Sequence, residues 1–194
     1  MTVLEGPNVR LRPLGPADYA AVFAWYNDPE IVAPFDRFET DTWESFVGSV
    51  ARAGDDPTSL APRFVVEPTA SAGPVGVLGY YRAHPVLEYL DVWYLLGDPA
   101  VRGRGWGREA VGLLLGHLFA TASVARLGAT CDVENVPSYR LLEGLGLRRE
   151  GTLRSALFHH GAWHDVHVYG ITAPEWAARH PSGGAAPGSP AHSG

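Results

Sequence analysis

Three glycines at alternate positions, Gly103, Gly105 and Gly107, stand directly before a long apolar-faced segment, and this arrangement restricts the fold more than any other in the chain. Ala110, Val111, Leu114, Leu118 and Phe119 recur at helical spacing, so Arg108–Ala122 reads as a helix with a wide buried face. Glycines at its mouth let main-chain N–H groups converge on one point, where the helix macrodipole adds positive potential. Such a turn can hold a pyrophosphate without a lysine, and Arg102 and Arg104 are placed to add charge-assisted contacts. The same glycines also suit a plain turn that opens a helix, so their flanks must decide.

Composition removes several rivals. All 15 basic residues are arginine, which excludes Schiff-base chemistry, a pyridoxal-phosphate anchor and a P-loop lysine. A dinucleotide fingerprint needs glycine where Arg108 stands, and an acidic residue about 20 positions further on. The next acid after Glu109 is Asp132. Cys131 is the single cysteine, so an intrachain disulfide, a zinc ribbon and a CxxC redox pair are excluded. A net charge of -6 argues against bulk attraction to nucleic acid or anionic membrane.

At 194 residues, 46% hydrophobic and 19% charged, the chain has enough apolar material for one core. Residues 1–180 are expected to form a single domain. The Pro/Ser/Gly/Ala/His-rich stretch 181–194 is expected to be a disordered tail. No apolar run approaches the roughly 20 residues of a membrane helix, and residues 1–12 resemble no secretory signal, so a cytoplasmic protein is expected.

Alternation predicts a strand over Asn8–Pro13, then a helix over Ala17–Tyr26 that stops before Asn27-Asp28-Pro29. A second helix is expected from near Asp41, with Asp41 and Glu44 at capping-box spacing. Arg63–Glu67, Val75–Arg82 and Tyr89–Leu96 read as an antiparallel meander, followed by the glycine turn and its helix. Ala129–Val133 is a strand, Pro137–Leu145 a helix ended by Gly146, and Gly151–Phe158 and Trp163–Ile171 two further strands. The order is α+β around one central β–loop–α–β unit.

The flanks carry a family resemblance. Arg102-Gly103-Arg104-Gly105-Trp106-Gly107 after an apolar strand resembles the acetyl-coenzyme A loop of the GNAT superfamily of N-acetyltransferases. Asn135-Val136-Pro137-Ser138, followed by Leu141–Gly151, resembles the second signature of that superfamily in its RimJ/RimL-like branch, the ribosomal-protein-alanine N-acetyltransferase-like enzymes. Val9–Pro13 with Trp25–Glu30, and Gly161–Val166 with Tyr169 and Trp176, resemble the branch's opening and closing segments. The likeness covers roughly residues 3–178.

This resemblance implies the GNAT fold: a mixed, mostly antiparallel central sheet flanked by helices and splayed between the fourth and fifth strands. It further implies that acetyl-CoA is the co-substrate and that no metal is needed. Main chain near Leu95, Leu96 and Gly97 would pair with the pantetheine amides, and Val101, Arg102, Gly103, Arg104, Gly105, Trp106 and Gly107 would hold the pyrophosphate. Asn135 would bond the pantetheine arm, and Ser138 would protonate the leaving thiolate. Many members carry a tyrosine as donor where this chain has Leu142, which leaves Ser138 or the adjacent Tyr139 for that task. Asn135 also reads as an ordinary N-cap with Pro137 inside the helix, and both roles can coexist.

Direct attack needs a neutral amine, and hence a base or a relaying water. Asp91 is the first candidate and Glu88 the second, the alternative for Asp91 being a strand-edge charge. One of His159, His160, His164 and His167 could also serve as base or substrate contact. A metal site among them is discounted because strand alternation sends His159 and His160 to opposite faces. Trp25, Tyr26, Phe35, Phe38 and Trp43 fall in the segment resembling the acceptor-binding region, and most read as core. Cys131, in a buried strand, reads as core rather than nucleophile.

The sequence therefore predicts an N-acetyltransferase moving an acetyl group to a primary amine by direct attack in a ternary complex. The acceptor is a protein N-terminus or a small-molecule amine. No nucleic acid or membrane partner is expected, and a homodimer is compatible with the resemblance. A non-catalytic CoA-binding module is the rival from another class.

Overall fold

The frame follows from strand alternation. In this computed structural model, which describes residues 2–32, 42–52, 58–61, 63–84 and 86–181, eight strands form one sheet in the order β1-β2-β3-β4-β5-β6-β8-β7. They are β1 (Leu4–Glu5), β2 (Val9–Pro13), β3 (Phe64–Pro68), β4 (Gly76–Tyr81), β5 (Leu90–Leu96), β6 (Arg126–Asp132), β7 (Arg148–His159) and β8 (Ala162–Thr172). Every pairing is antiparallel except β5 with β6, the parallel pair that α4 (Trp106–Thr121) connects. The predicted meander and the central β–loop–α–β unit are both present.

Side chains of alternating sign build two apolar layers. Val92 from β5 and Leu127 and Ala129 from β6 join Leu114, Leu115 and Leu118 of α4, and Leu142 of α5 (Val136–Leu145), in the larger core. Leu95 faces the other way. It joins Val65, Val77, Val22 of α1 (Tyr19–Tyr26) and Phe46 of α3 (Trp43–Arg52). Tyr19 and Tyr26 present their rings edge-on to Phe46, as the helical spacing of that aromatic set requires.

Several boundaries differ from the sequence expectation. The two-residue β1 was not anticipated, so in chain order the splay lies between the fifth and sixth strands. Pro29–Val32 continues as a short helix, α2, and Ala173–Arg179 forms α6 behind a capping box of Thr172 and Glu175. The start of α3 is capped by Thr42, whose Oγ1 accepts the Ser45 N–H at 3.2 Å. Asp41, Phe35, Phe38 and residues 182–194 lie outside the described residues.

Two tethers fix α4, and with it the glycine turn. Glu109 accepts the N–H groups of Asn8 and Val9 at 2.8 and 3.0 Å, joining the helix to the start of β2. Arg108 donates to the Gly144 carbonyl at 2.6 Å, joining it to α5. Among the described residues no helix is long and apolar enough to cross a membrane.

Candidate active site

The site begins where β5 and β6 part. Their ladder holds only Leu90 opposite Leu127 and Asp91 opposite Gly128, although the strands run on to Leu96 and Asp132. Antiparallel geometry decides which main-chain groups of β5 face the gap. Gly97 donates its N–H to the Val75 carbonyl at 3.0 Å, and Leu95 lies opposite Val77, so both turn their main chain toward β4. By the two-residue period, Tyr94 and Leu96 direct N–H and C=O into the gap. Of Leu95, Leu96 and Gly97, Leu96 alone presents its main chain there. Gly97 instead packs against the Trp25 indole, which a Cβ at that position would meet at 1.9 Å.

The glycine turn closes one end of the gap. A one-turn 3-10 helix, Pro99–Val101, is capped by Asp98 accepting the Ala100 N–H at 2.8 Å, and it buries Val101. Gly103 and Gly105 then take φ of +78° and +81° with open space where a Cβ would be. Backbone conformation, not crowding, therefore demands glycine at both. Gly105 is the N-cap of α4, and its carbonyl accepts from Glu109, which leaves the N–H groups of Trp106, Gly107 and Arg108 without intrahelical acceptors. Among the described residues, Gly103 and Gly105 likewise donate to no main-chain carbonyl. Arg102 and Arg104 are exposed at the same mouth, Arg104 lying 5.3 Å over the Trp106 ring. Gly107 is glycine for space: a Cβ would lie 3.2 Å from Leu96 Cδ1 and 3.3 Å from Leu141 Cδ1.

A second turn lies at the N-terminus of α5. Asn135 Oδ1 accepts the Ser138 N–H at 3.2 Å, so the capping role is present, and the Asn135 amide nitrogen takes no part in it. Ser138 Oγ lies 2.8 Å from the Tyr94 hydroxyl. Burial pushes the Tyr94 phenol above its ordinary value, so it stays protonated and able to donate. Burial also pushes the Cys131 thiol up to about 11, which makes it a poor nucleophile at neutral pH. Tyr139 is set apart from this pair, with its ring against His167 at a centroid distance of 6.3 Å. Leu142 is fully buried in the larger core.

Sequence reasoning missed Tyr94. It looked for a donor on α5, whereas the hydroxyl arrives from β5, on the face shared by Val92. The alternation of that strand was visible, but which helix lay above it was not.

Asp91 sits at the foot of the splay, where β5 and β6 still pair, and not with Ser138 and Tyr94. It is buried, and that burial pushes its carboxyl up to about 6, the nearby Arg126 opposing and Glu150 reinforcing the shift. Side chains alternate along β5, so Asp91 points to the α1 face and Tyr94 to the α4 face.

The histidines divide. His159 and His164 stack at 3.7 Å on the α1 face of β6, with Asp132, while His167 lies on the opposite face, 2.9 Å from Thr152 Oγ1. His160 turns the hairpin with Gly161, both at positive φ, as a two-residue turn between β7 and β8 requires.

The fold and these two turns can now be set beside known proteins. The Acetyltransferase (GNAT) domain family matches residues 8–148. The chain belongs to the GNAT acetyltransferase family. An uncharacterised N-acetyltransferase of Bacillus subtilis, YnaD, is 27% identical over 161 residues, covering 82% of this chain and 90% of the relative. Mycobacterium smegmatis RimJ, solved with CoA-disulfide, superposes with a TM-score of 0.72 at 27% identity, over 92% of this chain and 94% of its own. Spermidine N-acetyltransferase from Vibrio cholerae, solved with CoA and spermine, shares the fold with a TM-score of 0.77 at 20% identity, over 88% and 99% of the two chains. This GNAT chain is thus an acyltransferase, with RimJ among its structural neighbours as its resemblance to the RimJ/RimL-like branch implies.

The family uses acetyl-CoA, and the residues present fit it. Among the described residues, the glycine turn offers the N–H groups of Gly103, Gly105, Trp106, Gly107 and Arg108 with no main-chain acceptor. The gap offers the edge of β5 beyond Asp91, and the Tyr94 and Ser138 hydroxyls lie at hydrogen-bond distance from each other beside it.

Proposed function

We propose that this chain is an acetyl-CoA-dependent N-acetyltransferase that acetylates a primary amine by direct attack in a ternary complex. The observation that carries the reading is the Tyr94–Ser138 hydroxyl pair, held in the first turn of α5 against β5.

Bound acetyl-CoA supplies an activated acyl group on a thiol leaving group. The rest falls to the chain. The N–H groups of Gly103, Gly105, Trp106, Gly107 and Arg108 at the mouth of α4 bind the pyrophosphate, with the Arg102 and Arg104 side chains adding charge. Val101 anchors the turn from beneath. Leu96 main chain extends the sheet toward the pantetheine amides, and the Asn135 amide nitrogen donates to the same arm. Leu95, Gly97 and Trp106 shape these surfaces by packing. Ser138 Oγ and the Tyr94 hydroxyl stabilise and protonate the departing sulfur, while the Tyr139 ring packs toward His167. Direct transfer, without an acyl-enzyme, is supported by the depth and high thiol pKa of Cys131.

For the acceptor, the branch resemblance favours a protein α-amine, and a small-molecule amine is the second candidate. The test is thiol release from acetyl-CoA with alanine- and serine-initiated peptides beside spermidine and other small amines. Turnover with any of them supports the reading. Binding of acetyl-CoA without turnover on any amine contradicts it and favours a binding module.

A further inference from the structure

On the face of β6 opposite Tyr94, four acid–base side chains converge from three elements. Asp132 ends β6, and its Oδ2 lies 2.5 Å from His159 Nε2 and 3.6 Å from His164 Nδ1. Glu134, in the following turn, lies 3.6 Å from the same His164 nitrogen. Asp132 and His159 are almost wholly buried, with side-chain exposures of 2% and 5%, whereas His164 retains 16% and Glu134 73%. The cluster is therefore graded from a dry interior to the rim. Among the described residues, His159 Nδ1 is buried with no hydrogen-bond partner, so the Nε2 contact to Asp132 is the one polar contact that holds this ring.

The geometry does not suit a cation as it stands. The candidate ligand atoms of Asp132, His159 and His164 lie within 4.8 Å of one another. A metal must lie in the plane of each imidazole that binds it, and two rings stacked at 3.7 Å with an interplanar angle of 23° do not meet at bonding distance. Stacked imidazoles beside one carboxylate suit the handling of a proton. The cluster is also tied to the turn that opens α5. Asp132 Oδ1 accepts the Glu134 N–H at 2.6 Å and the Asp132 carbonyl accepts the Asn135 N–H at 3.1 Å, so one residue anchors both the histidines and the turn that carries Asn135 and Ser138.

We propose that the Asp132–His159–His164 cluster is the acceptor-side proton site, in which His164 Nε2 takes a proton from the incoming primary ammonium and Glu134 passes it to solvent. This rests on the acetyltransferase reading above. His164 is the catalytic residue. Asp132 and His159 are positioning residues, Asp132 orienting the Nδ1 side of the ring and His159 its face. The ammonium gives one proton to His164, and the freed nitrogen lone pair attacks the thioester carbonyl. The N–C bond forms and the C–S bond breaks with its electron pair on sulfur. The second amine proton restores the hydroxyl pair that protonates the thiolate, leaving amide, thiol and one proton for solvent.

Among the described residues, the titratable groups against His164 are Asp132 and Glu134 from β6 and its turn and His159 from β7, with His160 of the hairpin turn against His159; Asp165, next along β8, accepts the Ser155 N–H instead. The test compares wild type with His164→Gln and Asp132→Asn, using acetyl-CoA calorimetry and the pH dependence of kcat on the best amine of the acceptor panel. His164→Gln should keep acetyl-CoA affinity and lower kcat at neutral pH by about 10²-fold, a deficit that shrinks as rising pH supplies free amine. A deficit constant with pH, or kcat within twofold of wild type, overturns the proposal. Imidazole 15N spectra of the free protein give a readout independent of any acceptor: His164 should be the Nδ1–H tautomer, and an Nε2–H tautomer overturns the proposal. Wild type that binds acetyl-CoA yet acetylates no amine overturns the acetyltransferase reading itself, with the tautomer result separate from that failure.

Discussion

The Tyr94 hydroxyl, carried by β5, lies 2.8 Å from Ser138 Oγ in the first turn of α5, so a strand and a helix joined only through tertiary packing place two hydroxyls together. In the proposed reaction this pair takes the donor role that Leu142 cannot fill. Tyr94→Phe should leave the fold and acetyl-CoA affinity intact, costing about 1 kcal/mol of stability for the lost hydrogen bond. It should lower kcat by about 10²-fold if the phenol is the donor. Steady-state kinetics beside a thermal melt check both, and an unchanged kcat would assign the donor to Ser138 alone.

Asn135 joins a capping acceptor to a free amide donor, and the two can be separated by one substitution. Asn135→Asp keeps an oxygen for the Ser138 N–H and removes the NH2 group. Stability should hold, whereas Asn135→Ala should lose about 1 kcal/mol with the cap. Both should raise the KM for acetyl-CoA. If only Asn135→Ala does so, the residue is a cap and nothing more.

Gly105 differs from Gly107 in why it is glycine. Gly105→Ala meets no neighbour, so its cost is the left-handed backbone, about 1–2 kcal/mol. It should also weaken acetyl-CoA binding by displacing N–H groups at the mouth of α4. Gly107→Ala keeps a helical backbone, where the exchange gains about 1 kcal/mol of propensity, and asks the Leu96 and Leu141 methyl ends to give slightly, so stability should change by no more than about 1 kcal/mol. Calorimetry and denaturant unfolding distinguish the two.

Asp91 should matter more for stability than for turnover. Burial raises its carboxyl to about 6, above the ordinary value of 3.8, so the folded state binds this proton more tightly than the unfolded chain does. Its contribution is then fully present below about 4 and is lost as pH rises through about 6. Asp91→Asn should flatten that loss, stabilising the protein by about 1–2 kcal/mol at pH 7 after allowance for solvent screening. It should leave kcat within a few-fold. A large fall in kcat with unchanged stability would make Asp91 the base after all.

Much of this architecture was legible in the chain itself. Alternation along Val9–Pro13 and Tyr89–Leu96, and the glycines before Trp106, identify elements because local patterning agrees with the fold there. Contacts between distant elements were not legible. The Tyr94 hydroxyl at Ser138, and His159 over His164 on Asp132, depend on how α5 and the β7–β8 hairpin sit against the sheet, which no local period encodes. His159 and His160 do not part to opposite faces as alternation predicts: His160 lies beyond the end of β7, in the turn at positive φ, and its ring meets that of His159 edge-on at 5.0 Å. The partner of His159 is His164, brought across the hairpin by the His160–Gly161 turn. Asp91 shows the converse: its alternation was read correctly, but its distance from the reacting end depends on where β5 and β6 stop pairing.

The central claim is that main-chain N–H groups at the mouth of α4 hold a pyrophosphate. Calorimetric titration with acetyl-CoA and with acetyl-pantetheine, which carries the same thioester without the pyrophosphate, tests it most directly. Acetyl-CoA should bind at one site per chain, and acetyl-pantetheine should bind at least about 10²-fold more weakly, the equivalent of about 2.7 kcal/mol. Equal affinities, or no heat with acetyl-CoA on folded protein, would contradict the account.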